Sequence, residues 1–199
     1  MQARRLPAIR GWNWIVEGFR LFRTNPAAAT FLVFSTFLFW MALSLFPYVG
    51  LIAGMLVFPA ILMSILTGFR EIDENRKVGF DVIFSGFRKN LPSLLALGGL
   101  LFLGILLALA AAGYTNPDLM DVFEGNRKID AEALKAIQLP LLVLGIATTV
   151  FCFSPLLAAW GSHGVAKALF FSSIGVARNW RAMLVYLLAT NLITTILPA

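Results

Sequence analysis

The side chains able to do chemistry in this chain are few. His163 is the single histidine and follows Ser162 in Trp160-Gly161-Ser162-His163-Gly164. A Ser–His pair becomes a nucleophile only when an acid orients the imidazole. No Asp or Glu occurs between residues 161 and 181. We read His163 as an interfacial hydrogen-bonding or pH-sensitive group and assign no catalytic residue. Cys152 is the single cysteine and sits in an apolar run, so neither an intrachain disulfide nor a cysteine zinc cluster can form. A small core residue is expected there. Asn191, with Thr190, Thr194 and Thr195 around it, is the most polar intramembrane candidate, and interhelical hydrogen bonding is its expected role. Glu71, Asp73 and Glu74 are mixed with bases and read as a solvated segment. Asp118, Asp121, Glu124, Asp130 and Glu132 are too irregularly spaced to specify a metal site, although metal binding is open to them. There is no phosphate-cradling glycine loop, Cys/His cluster or paired-carboxylate motif, and no cofactor is expected.

Cations offer more. Arg20, Arg23, Arg88, Lys89, Arg178 and Arg181 each flank an apolar segment. Grouped about one axis, they would form a basic ring able to hold lipid phosphates or an acidic partner. Ordinary topology control explains the same residues, since Lys and Arg set the orientation of membrane helices. Each base beside an anionic leaflet contributes about 1 kcal/mol. No nucleic-acid motif or long basic stripe accompanies the net charge of +6.

The elements that must position these groups are apolar. Of 199 residues, 59% are hydrophobic and 13% charged, against about 45–50% and about 25% in soluble domains. Lipid is the solvent that this composition suits. Five stretches without Asp, Glu, Lys or Arg approach the ~20 residues a crossing helix needs. They run over 27–46, 51–69, 91–113, 139–160 and 182–197. A tight turn, Pro47-Tyr48-Val49-Gly50, joins the first two, and Gly50-x-x-x-Gly54 is a weak helix-packing motif. Asn116-Pro117 marks a turn, and Asp130 is placed to cap a helix from Ala131 into the fourth stretch. Thirteen of sixteen bases fall on one side if the N-terminus is cytoplasmic; the opposite orientation inverts that ratio. Residues 1–26 show no signal-peptide pattern, so the first apolar run is expected to stay. The chain is therefore expected in a cell inner membrane, multi-pass, with its N-terminus in the cytoplasm.

Similar phrases precede three of the apolar runs. They are Phe19-Arg20-Leu21-Phe22-Arg23-Thr24-Asn25-Pro26, Phe84-Ser85-Gly86-Phe87-Arg88-Lys89-Asn90-Leu91-Pro92 and Ser173-Ile174-Gly175-Val176-Ala177-Arg178-Asn179-Trp180-Arg181. Trp12, Ile15, Val16, Phe19 and Phe22 recur at helical spacing, as do Phe80, Ile83, Phe84 and Phe87. Such helices lie along the membrane interface, and the Asn marks the bend into the bilayer. Pro59 and Pro155 sit at similar places in their hairpins. The expected fold is all-α: one polytopic transmembrane helix bundle over 1–199, built of three repeats of an interfacial amphipathic helix plus a transmembrane hairpin. The third repeat lacks its return helix, as in a truncated six-helix protein; a partner filling the gap is the other reading.

The phrases Phe22-Arg23-Thr24-Asn25-Pro26, Lys167-Ala168-Leu169-Phe170-Phe171-Ser172 and Arg178-Asn179-Trp180-Arg181-Ala182 resemble a family of uncharacterised bacterial inner-membrane proteins. That family is distantly similar to the membrane domain of glycerophosphodiester phosphodiesterases. The resemblance implies a six-helix bundle and supplies no catalytic residue, because the phosphodiesterase activity of such proteins belongs to a separate soluble domain. The expected role is non-enzymatic: binding membrane lipids, anionic ones included, or scaffolding a protein partner or a homo-oligomer. A transporter or permease subunit is the alternative, and it requires a polar cavity near Asn191, Pro59 and Pro155. A lipid-modifying enzyme is a third.

Overall fold

A computed structural model describes residues 5–115 and 131–196. Apolar runs become helices because a peptide group in hydrocarbon has no water to bond and must be satisfied within its own segment. The helices are α1 (Arg10–Thr24), α2 (Pro26–Ser44), α3 (Val49–Asp73), a 3-10 segment η1 (Phe80–Arg88), α4 (Leu91–Thr115), α5 (Ala131–Phe151), the short α6 (Ser154–Ala159), α7 (Val165–Arg178) and α8 (Trp180–Ile196). No strand occurs among the described residues.

Four stretches are long and apolar enough to cross a membrane: Pro26–Ser44, Val49–Asp73, Leu91–Tyr114 and Pro140–Ala159. The run over 182–197 is helical as well, but α8 has 17 residues. At 1.5 Å per residue that is about 26 Å, slightly under the ~30 Å of a hydrocarbon core. α5 begins at Ala131, so the expected helix does lead into the fourth stretch. Its Asp130 cap and the Asn116-Pro117 turn lie outside the described residues.

Each expected bend is a helix break. α1 stops at Thr24 and α2 starts at Pro26, where a missing N–H costs nothing. Asn25 caps the new helix by accepting the Ala28 N–H at 3.0 Å. Asn90 sits between η1 and α4 with φ +46°, and Asn179 between α7 and α8. The Phe80–Phe87 segment departs from expectation: it coils as a nine-residue 3-10 helix, not an α-helix. The cause is its contact with α3. Val82 and Gly86 turn inward, and a Cβ on Gly86 would collide with the Ala60 carbonyl. The Gly86 N–H donates to Ser64 Oγ of α3 at 3.0 Å. Phe80 and Phe84 remain 77% and 56% exposed, as an interfacial apolar face requires.

The two intramembrane prolines differ. Pro59 lies inside an unbroken α3, whereas the chain turns at Cys152-Phe153 just before Pro155. Ser172 of α7 repairs that break: its Oγ accepts the Phe153 N–H at 3.2 Å and donates to the Val150 carbonyl. Gly50 and Gly54 bring α3 against Leu43 and Trp40 of α2, the packing their spacing suggested.

One core cluster joins Ala60 and Met63 of α3, Leu94 and Leu97 of α4, Phe151 of α5, Ala158 and Ala159 of α6 and Ala168 of α7. A second joins Ala29 and Leu32 of α2, Ile72 of α3 and Val82 of η1. Both lie toward the end of the bundle where α1, η1 and α7 gather. Away from it the helices present Phe34, Phe37, Leu107, Leu142 and Leu188, each more than half exposed. These faces demand an apolar solvent.

Ser64→Ala would remove the hydroxyl that accepts the buried Gly86 N–H and ties η1 to α3. It should destabilise the protein by about 1–3 kcal/mol, read as a lowered thermal midpoint in detergent, while Ser44→Ala, on an exposed helix end, should leave the midpoint unmoved.

Candidate functional site

Side-chain bonds hold the gathered end together. Asn90 Nδ2 donates to the Ala158 carbonyl at 2.8 Å and to that of His163 at 3.3 Å, clasping the entry to α7. Asn179 Oδ1 accepts the Leu6 N–H at 2.8 Å and so clasps the arm before α1. Its Nδ2 donates to the Gly175 carbonyl at 2.9 Å. α1 also rests on α8, where Gly11 meets the Ala182 backbone and Trp14 meets Tyr186 edge-on at 6.0 Å.

The acids at the end of α3 are paired, while Asp81 of η1 is exposed and forms no ion pair among the described residues. α3 runs four residues beyond Phe69, so Glu71 and Asp73 ride its last turn. Arg20 donates to Asp73 at 2.9 Å, Arg70 to Glu74 at 2.8 Å, and Arg76 to Glu71 at 2.6 Å and to Glu74. The hydrogen bond from Arg70 holds the Glu74 carboxyl below the usual carboxylate range. The Arg70 guanidinium also lies over the Trp160 ring, 5.5 Å from its centre.

The six candidate cations therefore divide. Arg20 is tied to Asp73 and links α1 to α3. Arg23, Arg88 and Lys89 are exposed and form no ion pair among the described residues. Arg178 and Arg181 line one pocket of about 410 Å³ together with Arg5, Leu6, Pro7, Ala8 and Trp180. Arg181 stacks on Trp180 at 5.4 Å. Arg5 was not among the candidates, because its arm contacts α8 only in three dimensions. The one signal in the sequence is its place in the basic arm just ahead of Pro7.

Other candidates resolve into structure. The His163 ring leans on Phe171 at 6.0 Å and meets no carboxylate among the described residues. Cys152 is half-buried in the turn after α5. Asn191 corrects an expectation: its Nδ2 donates to Leu187 of its own helix at 2.8 Å, not across to a neighbour. Thr194 and Thr195 likewise bond the backbone of α8. α8 packs on α1 and lightly on α7, and the polar side chains of its outer half bond the backbone of their own helix. Among the described residues no three His, Cys, Asp or Glu converge on a metal-sized site. The remaining loop acids, Asp118, Asp121, Glu124 and Asp130, lie outside those residues, and nothing is described of the Glu132 side chain.

Four apolar helices of crossing length, around a core whose buried polar groups are only Ser64, Thr67, Ser154 and Ser172 among the described residues, define a polytopic α-helical membrane protein. The chain is 31% identical over 199 aligned positions to a "Probable inner membrane protein" of Burkholderia thailandensis, across 94% of this chain and 74% of the relative. The chain belongs to the family of that inner-membrane protein. No family model and no solved structure matches it. Nothing in these comparisons carries a likeness to the glycerophosphodiester phosphodiesterase membrane domain.

Because the Glu74 carboxyl is lowered by Arg70, the pair stabilises the folded state above the ordinary carboxylate range, and that contribution is lost as pH falls through the lowered midpoint. Carboxyl NMR should show Glu74 titrating below a free glutamate in the parent protein and moving upward in Arg70→Gln.

Proposed function

We propose that this protein is a non-enzymatic inner-membrane protein that gathers anionic lipid at the cytoplasmic face formed by α1, η1 and α7. The observation that carries the reading is the separation of charge at that end. Glu71, Asp73 and Glu74 are neutralised by Arg20, Arg70 and Arg76, while Arg23, Lys77, Arg88, Lys89 and Lys167 stand exposed without an acid partner among the described residues and outnumber the unpaired acid of η1, Asp81. A surface left net positive beside an anionic leaflet attracts phosphates at about 1 kcal/mol per base.

The N-terminus lies inside, by the thirteen-to-three distribution of Lys and Arg. α8 is the fifth crossing, short enough to draw the bilayer thinner around it. The three interfacial segments form a repeat about an axis. In support of that arrangement, the Asn ending the second segment clasps the entry to the third, and the Asn ending the third clasps the arm leading into the first. A protein partner on the same basic face is the lesser reading. Transport is disfavoured, because Pro59 and Pro155 are fully buried in packed core and Asn191 bonds its own helix.

The test is native mass spectrometry of the gently solubilised protein. Replacing Arg23, Arg88 and Lys89 together by Gln should cost about 3 kcal/mol of lipid attraction and strip most of the co-purifying phosphatidylglycerol. An unchanged lipid complement would overturn the proposal, and a stoichiometric protein lost in its place would select the scaffold reading.

A further inference from the structure

α8 leans on α1 and stands away from α5, which leaves a cleft of about 710 Å³ between α5 and α8. Its walls are Leu142, Gly145 and Val150 from α5 and Met183, Leu184 and Leu187 from α8. They are apolar even where polar residues occur. Thr148 and Thr149 both donate to the Gly145 carbonyl of their own helix, at 3.0 and 2.7 Å, so neither hydroxyl is offered to an occupant through its proton. Gly145 has open space where a side chain would stand, which widens the cleft at its middle.

The cleft has a mouth of opposite character. Trp180 lines both the cleft and the basic pocket of Arg5, Arg178 and Arg181. No acid lines that pocket among the described residues, and Arg181 stacks there on Trp180. An indole at the boundary between apolar and charged surroundings marks the depth of the headgroups. One continuous surface therefore begins with guanidinium groups and ends in hydrocarbon.

Depth selects the occupant. Along α5 the cleft runs from Val150 to Leu141, a rise of about 14 Å. A full crossing takes about 30 Å. The cleft is thus one leaflet deep, the reach of an acyl chain hanging from a headgroup, and too short to seat the whole length of another transmembrane helix.

We infer that this composite surface is a binding site for one anionic glycerophospholipid, with its phosphate between Arg5 and Arg181 and an acyl chain between α5 and α8. The inference rests on the lipid-binding reading above and adds to the lipid gathered by Arg23, Arg88 and Lys89 one tightly held molecule at a separate site. Arg181 holds the phosphate by charge and hydrogen bonds. Trp180 covers the glycerol region, and the gap beside Gly145 admits the chain.

The experiment is native mass spectrometry of the purified full chain titrated with phosphatidylglycerol or phosphatidylcholine in detergent. The parent should hold one phosphatidylglycerol per chain through detergent removal and release phosphatidylcholine. Arg5→Gln with Arg181→Gln should weaken that one adduct by about ten- to thirtyfold, and Arg181→Lys with Arg5 intact should keep most of it. Gly145→Phe fills the cleft without touching the mouth and should remove the adduct while leaving the thermal midpoint unchanged. If the adduct survives in Gly145→Phe and in the double Gln variant but is lost when Arg23, Arg88 and Lys89 are neutralised, the cleft assignment fails and the general face reading stands. If no set of substitutions alters it, both fail. A dimer that Gly145→Phe dissolves would show a second copy in the cleft and also overturn the assignment.

Discussion

A peptide group inside a bilayer has no water to fall back on, and this constraint governs the whole molecule. Within a helix the chain satisfies itself. At several breaks where a helix stops at membrane depth or at its boundary, a side chain takes over. Asn25 does so for α2, Asn90 and Asn179 tie their junctions to the next element, and Ser172 repairs the turn before Pro155. Ser64 serves η1 in the same way. These repairs, with the Arg–acid pairs of α3, cluster at one end of the bundle, and so does the well-packed core. Toward the other end the described helices present exposed apolar side chains.

Consequently the gathered end is the only described part with a defined polar architecture. Its acids serve as internal ties: Arg20–Asp73 joins α1 to α3, and Arg70 reaches both Glu74 and Trp160. What remains on the surface, apart from Asp81, is positive charge beside apolar side chains. Such a face suits the boundary between headgroups and hydrocarbon, and the α5–α8 cleft continues it inward by the depth of one leaflet.

Much of this was legible in the residues. The uncharged runs announced the helices, and the Asn-Pro, Asn-Leu-Pro and Asn-Trp phrases announced the breaks, because both signals are local. The roles of Ser64 and Ser172 were not legible, since a serine in an apolar run reads alike whether it bonds its own turn or another helix. The 3-10 coil of η1 was hidden for the same reason: its aromatic spacing fits an α-helix, and only the approach of Gly86 to Ala60 tightens it. Asn191 was misread because a polar residue in an apolar helix invites a neighbour, whereas its Nδ2 turns back to the Leu187 carbonyl of its own helix. Arg5 escaped notice because an arm becomes part of a site only when Asn179, far along the chain, catches it.

The central claim is that α1, η1 and α7 share one face of the membrane and that the α2–α3 turn lies on the other. Single cysteines at Tyr48, Lys77 and Lys167, placed in a Cys152→Ala background and probed with a membrane-impermeant thiol reagent on cells with opened outer membranes, test it directly. Tyr48→Cys should react at once, and Lys77→Cys and Lys167→Cys only after the inner membrane is breached. Immediate labelling at either lysine position, or protection at Tyr48, would contradict the account.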